Sequence, residues 1–246
     1  MDSSKKRVGI TGAAGNVGTT LTKGLSDKYD LTLYDLKSMP ESAGLKSVKV
    51  DFAEREQLKG IFTGLDALIH LGGDPRPNAP EQSTLRNNFM ATSYVFDEAK
   101  RAGVKKLVFA SSNFYHEEDI GEALGKKSGS LITLDSAPTA ESLYGKSKVF
   151  GEHIGRHFSH FGMQFVALRI GWTVPGDSPV PYDGVYMRAV FCSHRDLVQA
   201  FTKAIEVDTD FLVAFAVSRN SQPVFDLRET EKSLGFIPQD NADNYF

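Results

Sequence analysis

Short apolar runs alternate with helix-forming stretches along most of this chain, and that alternation leaves few folds open to it. Residues 7–11 (RVGIT), 31–35 (LTLYD), 48–51 (VKVD), 67–71 (ALIHL), 106–111 (KLVFAS) and 164–170 (QFVALRI) read as strands. Helices are expected after a Gly-rich turn up to residue 26, and over 55–62, 82–102, 141–161 and 196–205. Strands this apolar have no solvent face, so a parallel sheet covered by helices on both sides is expected. The predicted class is α/β, a doubly wound parallel sheet. Residues 113–140 break the rhythm and read as a functional lid or a mobile connection. Residues 171–186 carry Pro175, Pro179 and Pro181 and read as a crossing to a small C-terminal lobe.

Between the first strand and the first helix lies Thr11-Gly12-Ala13-Ala14-Gly15-Asn16-Val17-Gly18. Glycines there let the backbone turn tightly and approach a pyrophosphate. The helix start then offers free N–H groups and a positive dipole end. Three glycines alone also suit a plain tight turn. A strand before and a helix after favour dinucleotide binding through Gly12, Gly15, Asn16, Val17 and Gly18. Asp35 closes the second strand, where a carboxylate can accept both ribose hydroxyls and repel a 2′-phosphate. That favours NAD over NADP, although Lys37 would offset part of the repulsion. Asp51 and Phe52, after the third strand, are expected near the adenine. Leu71, Gly72 and Gly73 end the fourth strand where a cofactor would pass close to backbone. Asn88 is a further cofactor candidate, or a solvated helix residue.

Tyr144 and Lys148 are four apart and would share one helix face. A free phenol titrates near 10, and a neighbouring ammonium favours its phenolate. Tyr144 can then act as a general base toward a hydroxyl. Ser112 ends the fifth strand, on the side of the sheet where ligands bind, and can hold the reacting oxygen. Lys148 can also hold the nicotinamide ribose. Surface tyrosines and solvated lysines form this spacing by chance; order and position along the chain give it weight.

Taken in order, Gly12-x-x-Gly15-x-x-Gly18, Asp35, His70-Leu71-Gly72-Gly73, Asn88, Ser111-Ser112-Asn113 and Tyr144-Gly145-Lys146-Ser147-Lys148 resemble the extended and atypical short-chain dehydrogenases, the NAD-dependent epimerase/dehydratase superfamily. The stretches Asp74-Pro75-Arg76-Pro77, Arg169-Ile170-Gly171, Ser193-His194-Arg195-Asp196 and Leu234-Gly235-Phe236 look most like uronate dehydrogenases and archaeal NAD-dependent glucose-6-phosphate dehydrogenases. The resemblance spans nearly the whole chain. It implies a Rossmann-type NAD-binding domain over 1–170 with catalytic Ser112, Tyr144 and Lys148. It implies a small substrate-binding lobe over 171–246 that is not an independent domain. The implied activity is oxidation of an aldose-type sugar, a sugar phosphate or uronate, at its anomeric carbon to a lactone.

Asp74, Arg76, Ser112, Asn113 and Arg188 are the substrate candidates. Arg76 suits a phosphate or a solvated loop equally well, and Lys126 and Lys127 form a second anion candidate. Phe114 stands where uronate dehydrogenases carry His, and Tyr186 where they carry Arg. Trp172 reads as core filling more readily than as pocket wall. Ser193 and Asp196 read as a capping box, and His70 and His116 as structural. His153 and His157 lack a third ligand, so no metal is expected.

A net charge of −3 with no long basic run argues against nucleic acid and anionic membrane. No apolar stretch is long enough to span a bilayer, and no signal-peptide core is seen. With Cys192 alone there is no intrachain disulfide, which fits a cytoplasmic setting. A homo-oligomer is implied by the resemblance only. The competing readings are a nucleotide-sugar epimerase or dehydratase, whose C-terminal lobe is usually larger, and a non-catalytic NAD sensor, which has no need of a base.

Overall fold

The computed structural model describes residues 5–39, 45–125 and 130–246. Seven strands form one parallel sheet: β1 Arg7–Thr11, β2 Asp30–Asp35, β3 Lys46–Lys49, β4 Ala67–His70, β5 Lys106–Ser112, β6 Gln164–Ile170 and β7 Phe211–Ala216. Their spatial order is β3-β2-β1-β4-β5-β6-β7. The chain therefore reverses direction across the sheet between β1 and β4, and a ligand crevice forms outside the strand ends at that point. The helices are α1 Asn16–Leu25, α2 Arg55–Leu58, α3 Glu81–Thr84, α4 Ala91–Arg101, α5 Glu117–Gly125, α6 Leu143–Ser159, α7 Val185–Val190, α8 His194–Glu206 and α9 Arg228–Leu234.

Alternate strand residues feed two cores. Val8, Ile10, Val108, Val166 and Leu168 pack with Leu21, Leu25, Ala200 and Phe201 on one face. Leu68, Leu107, Phe109 and Phe165 pack with Val95 and Phe96 on the other. Both faces are thus dry, as the continuous apolar strands require. Two glycines set the depth of α6. A Cβ on Gly151 would lie 2.3 Å from the Phe109 ring, and one on Gly155 would lie 2.0 Å from the Phe165 ring. Without them the helix carrying Tyr144 and Lys148 would stand farther from β5.

Several elements depart from the sequence expectation. β7 lies beyond the strands expected from sequence and brings residues after 170 into the main sheet, while Val174, Met187, Phe191 and Ala242 make a smaller separate cluster. The helix expected over 82–102 is interrupted by a π-helical turn, Leu85–Met90. That wide turn carries Asn88 inward to Asp74 and the buried Ser147, and such bulges are frequent at functional sites. The helix expected over 55–62 stops at Leu58 because Lys59 turns extended. The 113–140 segment holds a 3-10 turn, Asn113–His116, then α5, and Ile132 bridges to Phe225. Glu117 fastens it to the start of α6, accepting from the Glu141 and Ser142 N–H groups at 3.1 and 2.9 Å. Lys126, Lys127, Pro40 and Gly44 lie outside the described residues. No helix among the described residues is long and apolar enough to cross a membrane.

Candidate active site

A cleft of about 870 Å³ runs along the carboxyl ends of the strands, from Asp35 at one end to Tyr144 and Trp172 at the other. Its floor at the first end is the Gly12–Gly18 turn. Gly12 has φ +69°, and a Cβ there would sit 2.9 Å from the Gly72 nitrogen. A Cβ on Gly18 would sit 2.4 Å from the Gly12 carbonyl oxygen. Side chains at either position would fill the space where the first turn of α1 approaches the cleft. This cradle is the geometry a pyrophosphate needs.

Neighbouring groups hold the cradle. The Asp35 carboxylate accepts from Ala14 N–H and Lys37 N–H, both at 2.9 Å, so it steadies the turn while still lining the cleft. Thr11 Oγ1 accepts from the Leu71 and Gly72 N–H groups at 3.1 and 3.2 Å. Its own proton therefore goes to Nδ1 of His70 at 2.8 Å, and His70 Nε2–H donates to Thr92 at 3.1 Å. Complete burial, with some help from the Lys148 charge, pushes the His70 imidazole down to about 3, so it stays neutral. Asn16 Nδ2 donates to the Thr173 carbonyl at 2.9 Å and joins the turn to the segment after β6.

At the other end, Ser112, Tyr144 and Lys148 line the same cleft. Lys148 Nζ donates to the Ala110 carbonyl at 2.9 Å and lies 5.2 Å from the centre of the Tyr144 ring. Burial lowers the Lys148 ammonium to about 8. Burial also raises the Tyr144 phenol, against a smaller lowering by a hydrogen bond with Ser112. A neighbouring ammonium by itself favours the phenolate. The fold adds desolvation, which acts the other way and wins here. A positive charge brought into the cleft would shift the balance back. Ser112 Oγ donates to Asn113 Oδ1 at 3.2 Å, and Asn113 Nδ2 donates to Tyr186 Oη at 2.5 Å. Burial, opposed by Asn113, pushes the Tyr186 phenol up to about 12.

Of the residues singled out from sequence, Gly12, Gly15, Asn16, Val17, Gly18, Asp35, Asp51, Phe52, Leu71, Gly72, Gly73, Asp74, Ser112, Asn113, Tyr144 and Lys148 all line the cleft. Asp51 is bound by Arg86 at 3.2 and 2.9 Å. Burial opposes its charge, but Arg86 and Ala53 N–H outweigh that and hold it below the usual carboxylate range.

Three candidates are not brought to the wall. Asn88 is consumed by structure: Oδ1 accepts from Asp74 N–H at 2.7 Å, and Nδ2 donates to the Asp74 carbonyl at 3.0 Å and to Ser147 at 3.4 Å. Arg76 grips Asp74 with two hydrogen bonds of 2.9 and 2.7 Å and is largely exposed. Arg188 pairs with Asp183 at 2.7 Å and Asp243 at 3.1 Å, and lies 4.0 Å from the Phe246 ring centre. Trp172, expected rather in the core, is 39% exposed and forms part of the wall, because it follows β6 directly at the ligand side of the sheet. Thr173 and Asn87, neither read from sequence, line the cleft as well; position straight after β6 is the signal that finds Thr173.

The remaining motif residues serve the scaffold. Ser193 caps α8, accepting from Asp196 N–H at 3.1 Å. The buried Asp196 carboxylate accepts from Ser218 at 2.7 Å and from the Gln239 and Asp240 N–H groups at 2.8 and 3.0 Å. His116 meets the Arg169 guanidinium at 2.9 Å, and burial and that cation push it down to about 4. Among the described residues no group of three or more His, Cys, Asp or Glu could hold a metal ion.

The model of the NAD-dependent epimerase/dehydratase family matches residues 8–176. The chain belongs to that family. It is 34% identical over 246 residues to the NAD-dependent glucose-6-phosphate dehydrogenase of Haloferax volcanii, covering 95% of this chain and 93% of the relative. It is 31% identical to the L-arabinose 1-dehydrogenase (NAD(P)(+)) of the same organism, covering 96% and 97%. Among solved structures, the glucuronic acid dehydrogenase of Chromohalobacter salexigens superposes with a TM-score of 0.85 at 26% identity, covering 98% and 86%. A mutant uronate dehydrogenase of Agrobacterium tumefaciens complexed with NAD superposes with a TM-score of 0.83 at 26% identity, covering 98% and 88%. NAD is the cofactor of the family, and the glycine cradle, the Asp35 carboxylate and the length of the cleft fit it.

Proposed function

We propose that this chain is an NAD-dependent oxidoreductase that oxidises an aldose-type sugar at its anomeric carbon, giving a lactone, with Tyr144 as general base. One observation carries the reading: Ser112, Tyr144 and Lys148 share a single cleft with the Gly12–Gly18 cradle and Asp35. Gly12, Gly15, Gly18 and the start of α1 hold the diphosphate, Asp35 the adenosine ribose, and Lys148 the nicotinamide ribose. Bound NAD supplies the acceptor for the hydride that leaves the anomeric carbon. Tyr144 Oη takes the proton of the anomeric hydroxyl as its oxygen becomes a carbonyl. Ser112 Oγ holds that oxygen in line. The Lys148 ammonium, one helical turn along α6, favours the phenolate form in which Tyr144 can take that proton. Glucose 6-phosphate, arabinose and uronates, the sugars in the relatives' names, all belong to this substrate class.

The test is direct. Purified protein is mixed with NAD and a panel of hexoses, pentoses, uronates and hexose 6-phosphates, and the NADH absorbance band is followed. Formation of NADH with at least one sugar, and loss of it in Tyr144→Phe, is the expected result. Confirmed NAD binding with no NADH from any sugar would refute the proposal.

A further inference from the structure

Resting on that reading of the cleft, we infer that its preferred substrate is an uncharged cyclic aldose held between aromatic walls, with uronates and sugar phosphates disfavoured. Beyond Ser112 and Tyr144 the cleft is closed by Phe114, Trp172 and Tyr186. Phe114 meets the Tyr144 ring edge-on at 5.6 Å, and Trp172 packs at 6.0 Å from Tyr186 and 5.5 Å from Tyr182. Rings fixed by one another in this way offer rigid apolar faces. A cyclic aldose presents C–H faces to such walls and keeps its hydroxyls at the ring edge. Besides Tyr144 and Lys148, the polar groups at this end include the Ser112 hydroxyl, the Asn113 amide and the Tyr186 hydroxyl, which are neutral. They match hydroxyl groups one for one, and a few convergent polar groups in an apolar pocket set specificity.

Charge points the same way. Among the described residues, the cleft wall has two cationic side chains, Lys37 and Lys148. Lys37 sits two residues beyond Asp35 at the far end, and Lys148 is bound to the Ala110 carbonyl. Arg76 and Arg188, the two arginines among the substrate candidates, already have carboxylate partners. An anionic sugar would have to displace Asp74 from Arg76, or Asp183 and Asp243 from Arg188. Otherwise its carboxylate or phosphate would rest unpaired against aromatic rings, which is strongly unfavourable. A neutral aldose meets neither penalty.

The chain has one tryptophan, so its indole fluorescence reports Trp172 alone. The full chain at a fixed saturating concentration of NAD is titrated with L-arabinose, D-galactose and D-glucose, then with D-galacturonate, D-glucuronate and glucose 6-phosphate. The inference expects a saturable fluorescence change with at least one neutral aldose, at a concentration at least ~10-fold below that needed for its charged counterpart. Saturation by a uronate or a phosphate at equal or lower concentration would overturn it, as would the absence of any change with all three neutral sugars. NADH is followed in parallel. Neutral sugars that bind without NADH forming would sink the dehydrogenase reading while leaving this one standing; NADH from anionic sugars alone would sink this one.

Discussion

Lys148 reaches past the phenol of Tyr144 to the carbonyl oxygen of Ala110, where its Nζ donates at 2.9 Å. The contact pins the first turns of α6 to the end of β5. It leaves the ammonium 5.2 Å from the Tyr144 ring centre and beside the Ser112 end of the strand. The cation is therefore a fixed part of the cleft wall before any ligand arrives, which is the kind of preorganisation that charge stabilisation in catalysis requires.

Replacing Tyr144 by Phe removes the proton acceptor and nothing that packs. The ring still meets Phe114, so folding and NAD affinity are expected to survive, while kcat falls by roughly 10²- to 10⁴-fold. Steady-state NADH formation and a separate NAD titration check the two halves. A near wild-type rate would remove Tyr144 as the base.

Activity should climb with alkalinity. Burial raises the Tyr144 phenol above its ordinary 10.0, so proton loss from it becomes easier as pH increases. Lys148, lowered to about 8, surrenders its charge before the phenol titrates, which blunts the climb at high pH. Initial rates recorded from neutral to alkaline pH test this; a rate that declines steadily from neutral upward would contradict it.

Asp35→Ala should reduce the preference for NAD over NADP by about tenfold, a change on the order of 1.4 kcal/mol, because the carboxylate that repels a 2′-phosphate is gone. The ratio of kcat/KM with the two cofactors is the readout. An unchanged ratio would mean that Asp35 serves only the Ala14 and Lys37 N–H groups.

Stability should drop on the acid side. An imidazole in the unfolded chain protonates near its ordinary 6.5, whereas His70 stays neutral in the fold down to about 3. Between those values the unfolded chain binds the extra proton, so stability falls as pH is lowered through that window. His116, pushed down to about 4, adds to the same slope. Thermal melts across the window should show the decline, and His70→Asn should flatten it while lowering stability at neutral pH.

Glu152→Gln tests the support under the active site. Glu152 and Arg169 are buried and doubly bonded at 3.0 and 2.9 Å, and Ser111 donates to Glu152 at 2.6 Å. Removing one charge strands the other, at a cost of about 3–5 kcal/mol. Denaturant melts measure it, and a loss below 1 kcal/mol would show that the pair relaxes.

Much of this molecule was readable along the chain. Parallel strands buried on both faces are largely apolar, so five of the seven are legible by composition, whereas the edge strand β3, Lys46–Lys49, shares only Val48 and Lys49 with the stretch expected. The Gly12–Gly18 turn, Asp35, Ser112, Tyr144 and Lys148 were visible because each depends on local spacing beside a strand or helix end. The status of Asn88, Arg76, Arg188 and Trp172 was not visible. Whether an arginine is free or already paired depends on a carboxylate such as Asp243, 55 positions from Arg188. Whether a tryptophan fills the core or faces a ligand depends on which end of the sheet its loop leaves. Desolvation of Tyr144 likewise arises from residues far apart in the chain. Periodicity and turn chemistry are local and survive in one dimension; charge pairing, burial and pocket walls are sums over neighbours that only the packed chain brings together.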